Sequence, residues 1–567
     1  MKKIIKYLFL LTGGSFILAS CNDFLDREPL DSVTPDNFFF TENDLAAYAV
    51  KHYNFTTHEG FNAGIWRNDN ATDNQAATDY DKKWIPSQWK VPEAYDNPAS
   101  NDPWYFSAIR EANYFLETVV PRFEKGEIEG SETNIKHYIG EMYFLRAKNY
   151  LSKLETFGDF PIIKNTLPDE SASLIQASKR EPRHKVARFI LEDLDLAIGL
   201  LTNTISGGKN RITKNAALLL KSRAALFEAS WLTYHKGTAL VPGGPGWPGK
   251  AEDIADFNID TEIAFFLKEA KAAAKEVIGN AALVQNTAKD CMDETVKTDE
   301  DKYKMSNPYF AQFSANSLEG YSEILMWRAY NLLDYKIVHS APFYIRVGGN
   351  TGFTRQYVES FLCRDGKPIY ATDQYKGDES LSDVRKNRDL RLQLFLMTSG
   401  ETLSPNVMNG TPDLLPEVPQ LLDITEKRCV TGYQVRKGLS GNWYRDGNTA
   451  IEGCPVYRVA EAYLNYIEAD CMEHNGTSIG SEAAGYWGDL RERAGLPRDY
   501  TVTVNNTDLS KELDWAVYSA GKTVSPLLYN IRRERRCELL AEGLRMLDLK
   551  RWRALDQVKK FVIEGVN

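Results

Sequence analysis

The chain has little of the equipment that metalloenzymes and nucleic-acid-binding proteins carry. Among 567 residues there are 7 cysteines and 7 histidines. They form no CxxC pair, no zinc-like spacing and no HExxH, which argues against a transition-metal centre. Beyond Cys21, the cysteines at 291, 363, 429, 454, 471 and 537 are too sparse for a disulfide framework and are expected to be small structural apolar residues. Positive charge is outnumbered, 68 Lys and Arg against 78 Asp and Glu. The formal net charge is -10, and -13 without Lys2, Lys3 and Lys6, which disfavours a nucleic-acid backbone as partner. The one long apolar run, Tyr7 to Leu18, is about a dozen residues, short of the roughly 18 to 20 that cross a bilayer.

Three apparent motifs lack essential parts. Gly244 to Lys250 has phosphate-loop spacing, but Ala251 stands where a hydroxyl is needed and Pro245 and Pro248 remove two amide donors. Gly476 to Gly480 spells GTSIG, yet a helical pattern rather than a strand precedes Ser478, so a turn between helices explains the glycines. Asp69, Asp73, Asp79 and Asp81 are hard oxygen donors without the ordered spacing or turn glycine of a calcium loop.

What is present begins at the N-terminus. Three lysines, an apolar segment and the small residues Ala19 and Ser20 form a secretory signal peptide over 1–20. Leu18-Ala19-Ser20-Cys21 resembles a bacterial lipobox, which implies that Cys21 is acylated and anchors the chain in membrane lipid. Residues 21–41, polar and interrupted by Pro29 and Pro35, read as a tether.

Three stretches then share one helical spacing. Tyr143, Ala147, Tyr150 and Leu154 fall on one face, as do Leu220, Ala224, Phe227 and Trp231, and Ala460, Leu464, Ile467 and Cys471. Alanines in the same register let a second helix approach closely, the logic of helical-hairpin repeats. Further helices are predicted over 104–120, 186–201 and 262–278, and a last helical pattern over 526–563. Residues 237–450 carry loop chemistry such as GGPGWPG. The expected organisation is a helical scaffold over 42–236 with a ligand loop at 65–103, a loop-rich region over 237–450, and the rest of the scaffold over 451–567. In IRRERRCELLAEGLR, Glu534, Glu538 and Glu542 interleave with Arg532, Arg535 and Arg536, a pattern for pairing along the helix and for bracing its neighbours.

Taken together, EMYFLRAKNYLSKLETFGDFPII, RITKNAALLLKSRAALFEAS, FTRQYVESFLCRDGKPI with NRDLRLQLF, YRVAEAYLNYIEAD, YWGDLRERAGLP and the Arg-rich helix resemble, in order, the sequence blocks of the SusD/RagB family of outer-membrane lipoproteins. The resemblance implies a mainly α fold, with tetratricopeptide-like hairpins and an irregular loop-rich insertion containing minor β. It implies a surface-exposed, outer-membrane, lipid-anchored protein that captures a polysaccharide or oligosaccharide and passes it to a SusC-like TonB-dependent transporter. Such proteins bind without catalytic residues, and no cofactor is expected. Relatives commonly continue well beyond the Arg-rich helix, so a chain ending at Asn567 is expected to lack the end of the domain.

A sugar presents apolar C–H faces between hydroxyls, and its binding surface pairs flat aromatics with hydrogen-bonding side chains. The loop from Ile65 to Trp89 has that composition. Trp66, Tyr80, Trp84 and Trp89 are the candidate stacking rings, and Asn70, Asp73, Asn74 and Gln75 the candidate hydroxyl partners; Trp327 is an outlying candidate. Trp104 is expected in the core, while Trp247 and Trp443 sit in Gly-rich loops that could meet glycan or transporter. The competing classes are a surface glycoside hydrolase, which needs two carboxylates in a cleft, and a helical-repeat lipoprotein binding peptide or protein.

Overall fold

The structure is a computed structural model. It describes residues 38–79, 104–287, 307–334, 336–398, 402–404, 413–414, 420–440, 448–558, 562 and 564–566.

Local sequence sets several helix ends. Helix α1 (Glu42–Lys51) starts at a capping box in which the Thr41 and Asp44 side chains each take the other's backbone N–H. Helix α2 spans Ser107–Glu124 and α3 Glu132–Phe157, the latter stopped by Gly158 at φ 74°. Helix α4 is Arg183–Leu200. Thr213 caps α5 (Lys214–His235) by accepting from the Ala216 N–H, and Asn258 caps α6 (Ile259–Asn280). The C-terminal half supplies α7 (Ala460–Glu473), α8 (Ser481–Arg493), α9 (Pro526–Glu538) and α10 (Arg545–Arg551).

These helices pack as a continuous row. Helices α1 and α2 lie on α3, α3 on α4, α4 on α5, α5 on α6, and α6 on α7, which holds α8 and α9. The fold is mainly α with tetratricopeptide-like hairpins. Ala147, Tyr150 and Leu154, then Leu220, Ala224 and Phe227, and Ala460, Leu464, Ile467 and Cys471 are all buried on the expected faces. Helix α5 is buried almost all round, because α4, α6, α7 and α10 enclose it. Helix α6 lies within the 237–450 span yet belongs to this row, so the irregular part begins after Asn280.

The insertion builds a second apolar core around Phe310, Tyr357, Leu392, Leu394 and Phe395. Its strands are short. Strand β1 (Gln75–Ala77) pairs antiparallel with β3 (Thr351–Phe353), and β2 (Ile324–Arg328) with β4 (Cys454–Arg458) through a bulged register. The first pair stitches the start of the expected ligand loop to the insertion.

One predicted helix divides in two. The pattern over 526–563 breaks between α9 and α10, where Ala541 and Gly543 both adopt positive φ and no right-handed helix can continue. The GTSIG segment is a turn between α7 and α8, with Asn475 and Gly476 at positive φ. Cys363, Cys429, Cys454, Cys471 and Cys537 are free, buried thiols, and burial pushes the Cys429 and Cys454 thiols up to about 12. Cys291 lies outside the described residues.

The charged helix α9 is buried along its length, and this changes how its charges are used. The expected pairing of its glutamates with its own arginines is replaced by contacts to other segments. Glu538 receives Arg391, Arg458 and Arg493; Glu534 receives Arg391 and the Trp487 indole N–H; Glu542 receives Lys437 and Arg458. Arg535 holds Asp548, and Arg532 donates to the carbonyls of Ala516 and Tyr518. Burial opposes charge on Glu538, but the three guanidinium groups outweigh it and hold the carboxyl well below the usual range. A solvated helix pairs its own charges; a buried one must find partners in whatever surrounds it.

Candidate functional site

The first part of the expected ligand loop is a buried buttress. A 3-10 turn, Gly64–Arg67, carries Trp66 inward, where the indole is 1% exposed. It packs edge-on to Phe313 at 5.7 Å, under the Lys437 ammonium at 5.4 Å. Gly438 lies so close that a Cβ there would stand 2.0 Å from the indole nitrogen. Trp66 therefore has no open face, which corrects its assignment as a stacking ring.

Asp73 and Asn74 are corrected in the same way. Arg545 donates from Nε and Nη2 to the two Asp73 oxygens at 2.8 and 2.7 Å. Arg536 donates to Asn74 Oδ1 at 2.7 Å and to the Asp73 carbonyl at 2.8 Å. Both side chains are buried; their oxygens are taken up by the Arg-rich segment, and Asn74 Nδ2 donates to Asp69 at 3.0 Å. The Gln75 amide, also buried, donates to the Trp66 carbonyl at 2.9 Å. Asn70 is half-buried, and its Oδ1 accepts from the Thr351 hydroxyl at 2.6 Å. Trp327 is 5% exposed, packed with Leu318 and Ile324, and donates to Glu319 at 3.1 Å; it too lacks a free face. Trp247 is half-buried and donates to Asp159 at 2.8 Å. Tyr80, Trp84, Trp89 and Trp443 lie outside the described residues.

At the far end of the same loop stands an open cleft of about 580 Å³, walled by the start of α2 and the segment that follows α3. Trp104 lines it. The ring, expected in the core, is half-buried, seated edge-to-face on Phe157 and Phe160 at 4.9 and 4.8 Å with the Arg180 guanidinium 4.7 Å from its centroid. Phe106 beside it stacks on Phe160 at 5.0 Å. Ile109, Ile163, Leu167 and Leu174 complete the apolar wall. Around it are three exposed polar side chains, Arg110, Asn165 and Asp169, none hydrogen-bonded or ion-paired to another described residue. Guanidinium, amide and carboxylate groups with unspent capacity, set beside aromatic and aliphatic surface, are what a sugar's alternating apolar and hydroxyl faces require. One carboxylate, Asp169, lines the cleft among the described residues, whereas glycoside hydrolysis uses two.

Sequence reasoning missed these three polar residues because they come from separate segments that only the α2–α3 packing brings together. The available signal was the polar run KNTLPD directly after an apolar FPII, an exposed turn against buried chain.

A helical-repeat scaffold carrying a loop-rich insertion thus presents an aromatic-lined, polar-rimmed cleft of the kind that binds ligands. Comparison with known proteins narrows this. The SusD family model matches residues 296–564, and a SusD-like model described as starch-binding and associating with the outer membrane matches residues 23–226. The chain belongs to the SusD/RagB family. It is 27% identical over 557 residues to SusD-like protein P2 of Formosa agariphila, covering 95% of this chain and 89% of that one. A SusD-like protein of Bacteroides fragilis superposes with a TM-score of 0.61 at 22% identity, over 93% of this chain and 89% of that chain. A solved structure described with xylogluco-oligosaccharide superposes at 0.51 and 17% identity, over 90% and 82% of the two chains.

Proposed function

We propose that the protein is a non-catalytic, cell-surface glycan-binding lipoprotein that captures a polysaccharide or oligosaccharide and hands it to a SusC-like TonB-dependent transporter. The observation that carries this reading is the cleft beside Trp104. Its rings and its Arg110, Asn165 and Asp169, unpaired with any other described residue, match a sugar's needs, in a chain whose family includes carbohydrate binders. The three rings Tyr80, Trp84 and Trp89, which precede Trp104 in sequence, are proposed as further stacking surfaces. Cys21, acylated, anchors the protein in the outer membrane. A lid that only captures needs exposed, preformed contacts, which the rings and polar rim of the cleft supply.

The test is affinity electrophoresis of residues 22–567 through gels containing individual polysaccharides. Retardation by one glycan, reduced in Arg110→Ala and in Trp84→Ala or Trp89→Ala, supports the reading. A folded protein retarded by none of the glycans refutes it, and release of reducing sugar would turn it into an enzyme. Co-purification with a SusC-like barrel tests delivery separately.

A further inference from the structure

A second cavity, of about 310 Å³, lies away from the cleft, where α3 and α5 meet β4 and the start of α10. That volume is at the small end of small-molecule sites, which run from about 300 to 1,000 Å³. Its apolar wall comes from Phe55, Leu151, Leu220 and Leu547. Its charges balance, with Lys148, Arg223 and Arg458 facing Glu155, Glu461 and Glu542. Most of these are spent on each other. Arg223 donates through Nε and Nη2 to Glu461, Arg458 holds Glu542, and Lys148 donates to the Asn54 carbonyl and side chain at 2.9 and 3.0 Å.

Three groups remain unspent. Arg223 Nη1, the Glu155 carboxyl and the Tyr457 hydroxyl make no hydrogen bond with another described residue. Tyr457 is 4% exposed, and its ring is held by Phe55 at 6.0 Å and by the Arg223 guanidinium at 5.2 Å. The Tyr457 hydroxyl opens into the cavity, and a polar group there with no protein partner takes its hydrogen bonds from a ligand or water.

We infer that this cavity is a second binding site, for a single small neutral polyol such as one or two pyranose units, bonded by Tyr457, Glu155 and Arg223. The three groups supply a donor, an acceptor and a hydroxyl that serves as either, the set that adjacent sugar hydroxyls satisfy. Arg223 and Arg458 are spent on Glu461 and Glu542, which leaves little charge to attract an ionic ligand. Burial pushes the Glu155 carboxyl up to about 7, against the pull of Arg223 and Lys148, so near neutrality it both donates and accepts. Thr56, Asn68 and Ser152 are exposed at the mouth, which gives the ligand an entrance. The site is separate from the Trp104 cleft and stands whether or not that cleft binds polymer.

The experiment is titration calorimetry of residues 22–567 with D-glucose, D-galactose, D-xylose, N-acetylglucosamine and maltose, each to about 10 mM, past the weak end of measurable affinity. The expected result is saturable binding of at least one sugar, weakened roughly 3- to 10-fold in Tyr457→Phe, which keeps the ring and loses one hydrogen bond. Glu155→Leu should abolish it, and Glu155→Gln should restore part. Thermal melts of each variant confirm folding. The inference is overturned if no sugar saturates, if Tyr457→Phe and Glu155→Leu leave the affinity unchanged, or if the heat vanishes in Arg110→Ala instead. The last outcome would assign the binding to the cleft. Failure of the polysaccharide gels with sugar calorimetry intact would sink the capture reading and leave this one standing.

Discussion

Replacing Arg545 by Met tests whether the Arg-rich segment pins the ligand loop. Arg545 is buried and bonds two buried carboxylates, Asp73 at 2.8 and 2.7 Å and Asp514 through the same Nη2. In its absence Arg536 is the cation left to both acids among the described residues, reaching Asp73 Oδ2 at 3.2 Å and Asp514 Oδ2 at 3.0 Å, while Asp514 Oδ1 also keeps the Ala516 N–H at 2.7 Å. Breaking a buried pair by removing one partner costs about 3–5 kcal/mol. With Arg536 retained, the lower end, about 3 kcal/mol, is expected, a large part of a stability on the order of 5–15 kcal/mol. Burial opposes the charge on Asp514, but Arg536 and Arg545 outweigh it and hold its carboxyl well below the usual range. Without Arg545 that depression weakens, and protonation relieves the stranded charge. Urea unfolding followed by tryptophan fluorescence should therefore show the deficit in full at pH 7 and diminished at pH 4. The double variant Asp73→Asn, Arg545→Met should be less damaged than the sum of its parts. A loss under about 1 kcal/mol at pH 7, or a deficit equal at both pH values, would refute the clamp.

Trp66→Ala should cost about 3–5 kcal/mol in the same assay through its cavity; near-native stability combined with lost glycan retardation would instead make Trp66 a ligand contact. Trp104→Ala should weaken glycan binding by roughly 2- to 12-fold, the value of one aromatic contact, read from gel mobility against glycan concentration, and unchanged mobility would remove it from the site. Burial lowers the His184 and His235 imidazoles to about 4, below the roughly 6.5 of the unfolded chain. Between those values the unfolded state takes up protons that the folded state refuses, so stability falls as pH drops from about 6.5 to 4, by on the order of 2–3 kcal/mol per histidine. Double replacement by Gln should flatten that slope in urea titrations, and an unchanged slope would exclude both residues as its source. Iodoacetamide at pH 8 should leave Cys363, Cys429, Cys454, Cys471 and Cys537 unmodified in the folded protein, since burial holds the thiols at about 11 to 12; peptide mapping that finds any of them alkylated before unfolding would contradict their burial.

The helical scaffold was legible because helix periodicity is a local property. Ala147, Tyr150 and Leu154 lie 3 or 4 residues apart, and a stripe at that spacing has one way to be buried. Capping at Thr41, Thr213 and Asn258 is local too. Family membership was legible for a related reason, since ordered blocks such as YRVAEAYLNYIEAD keep their spacing whatever the loops between them do.

The functional surface was a different matter. Composition placed Trp66, Asp73 and Asn74 at a sugar site, yet a tryptophan or an aspartate has the same letter whether it faces solvent or a buried guanidinium. Burial is a sum over distant neighbours. Asp73 is taken by Arg545, 472 positions away, and no local pattern reports that pairing. The alternating charges of α9 were legible as bracing for its neighbours, but which segment each charge reaches, such as Arg391, Arg458 and Arg493 at Glu538, was fixed only by the packing around it. The sequence by itself determined the helices, their inward faces and the family. Tertiary structure alone decided which polar groups were spent on holding the fold and which, at Arg110, Asn165, Asp169 and Tyr457, were left with bonds to give.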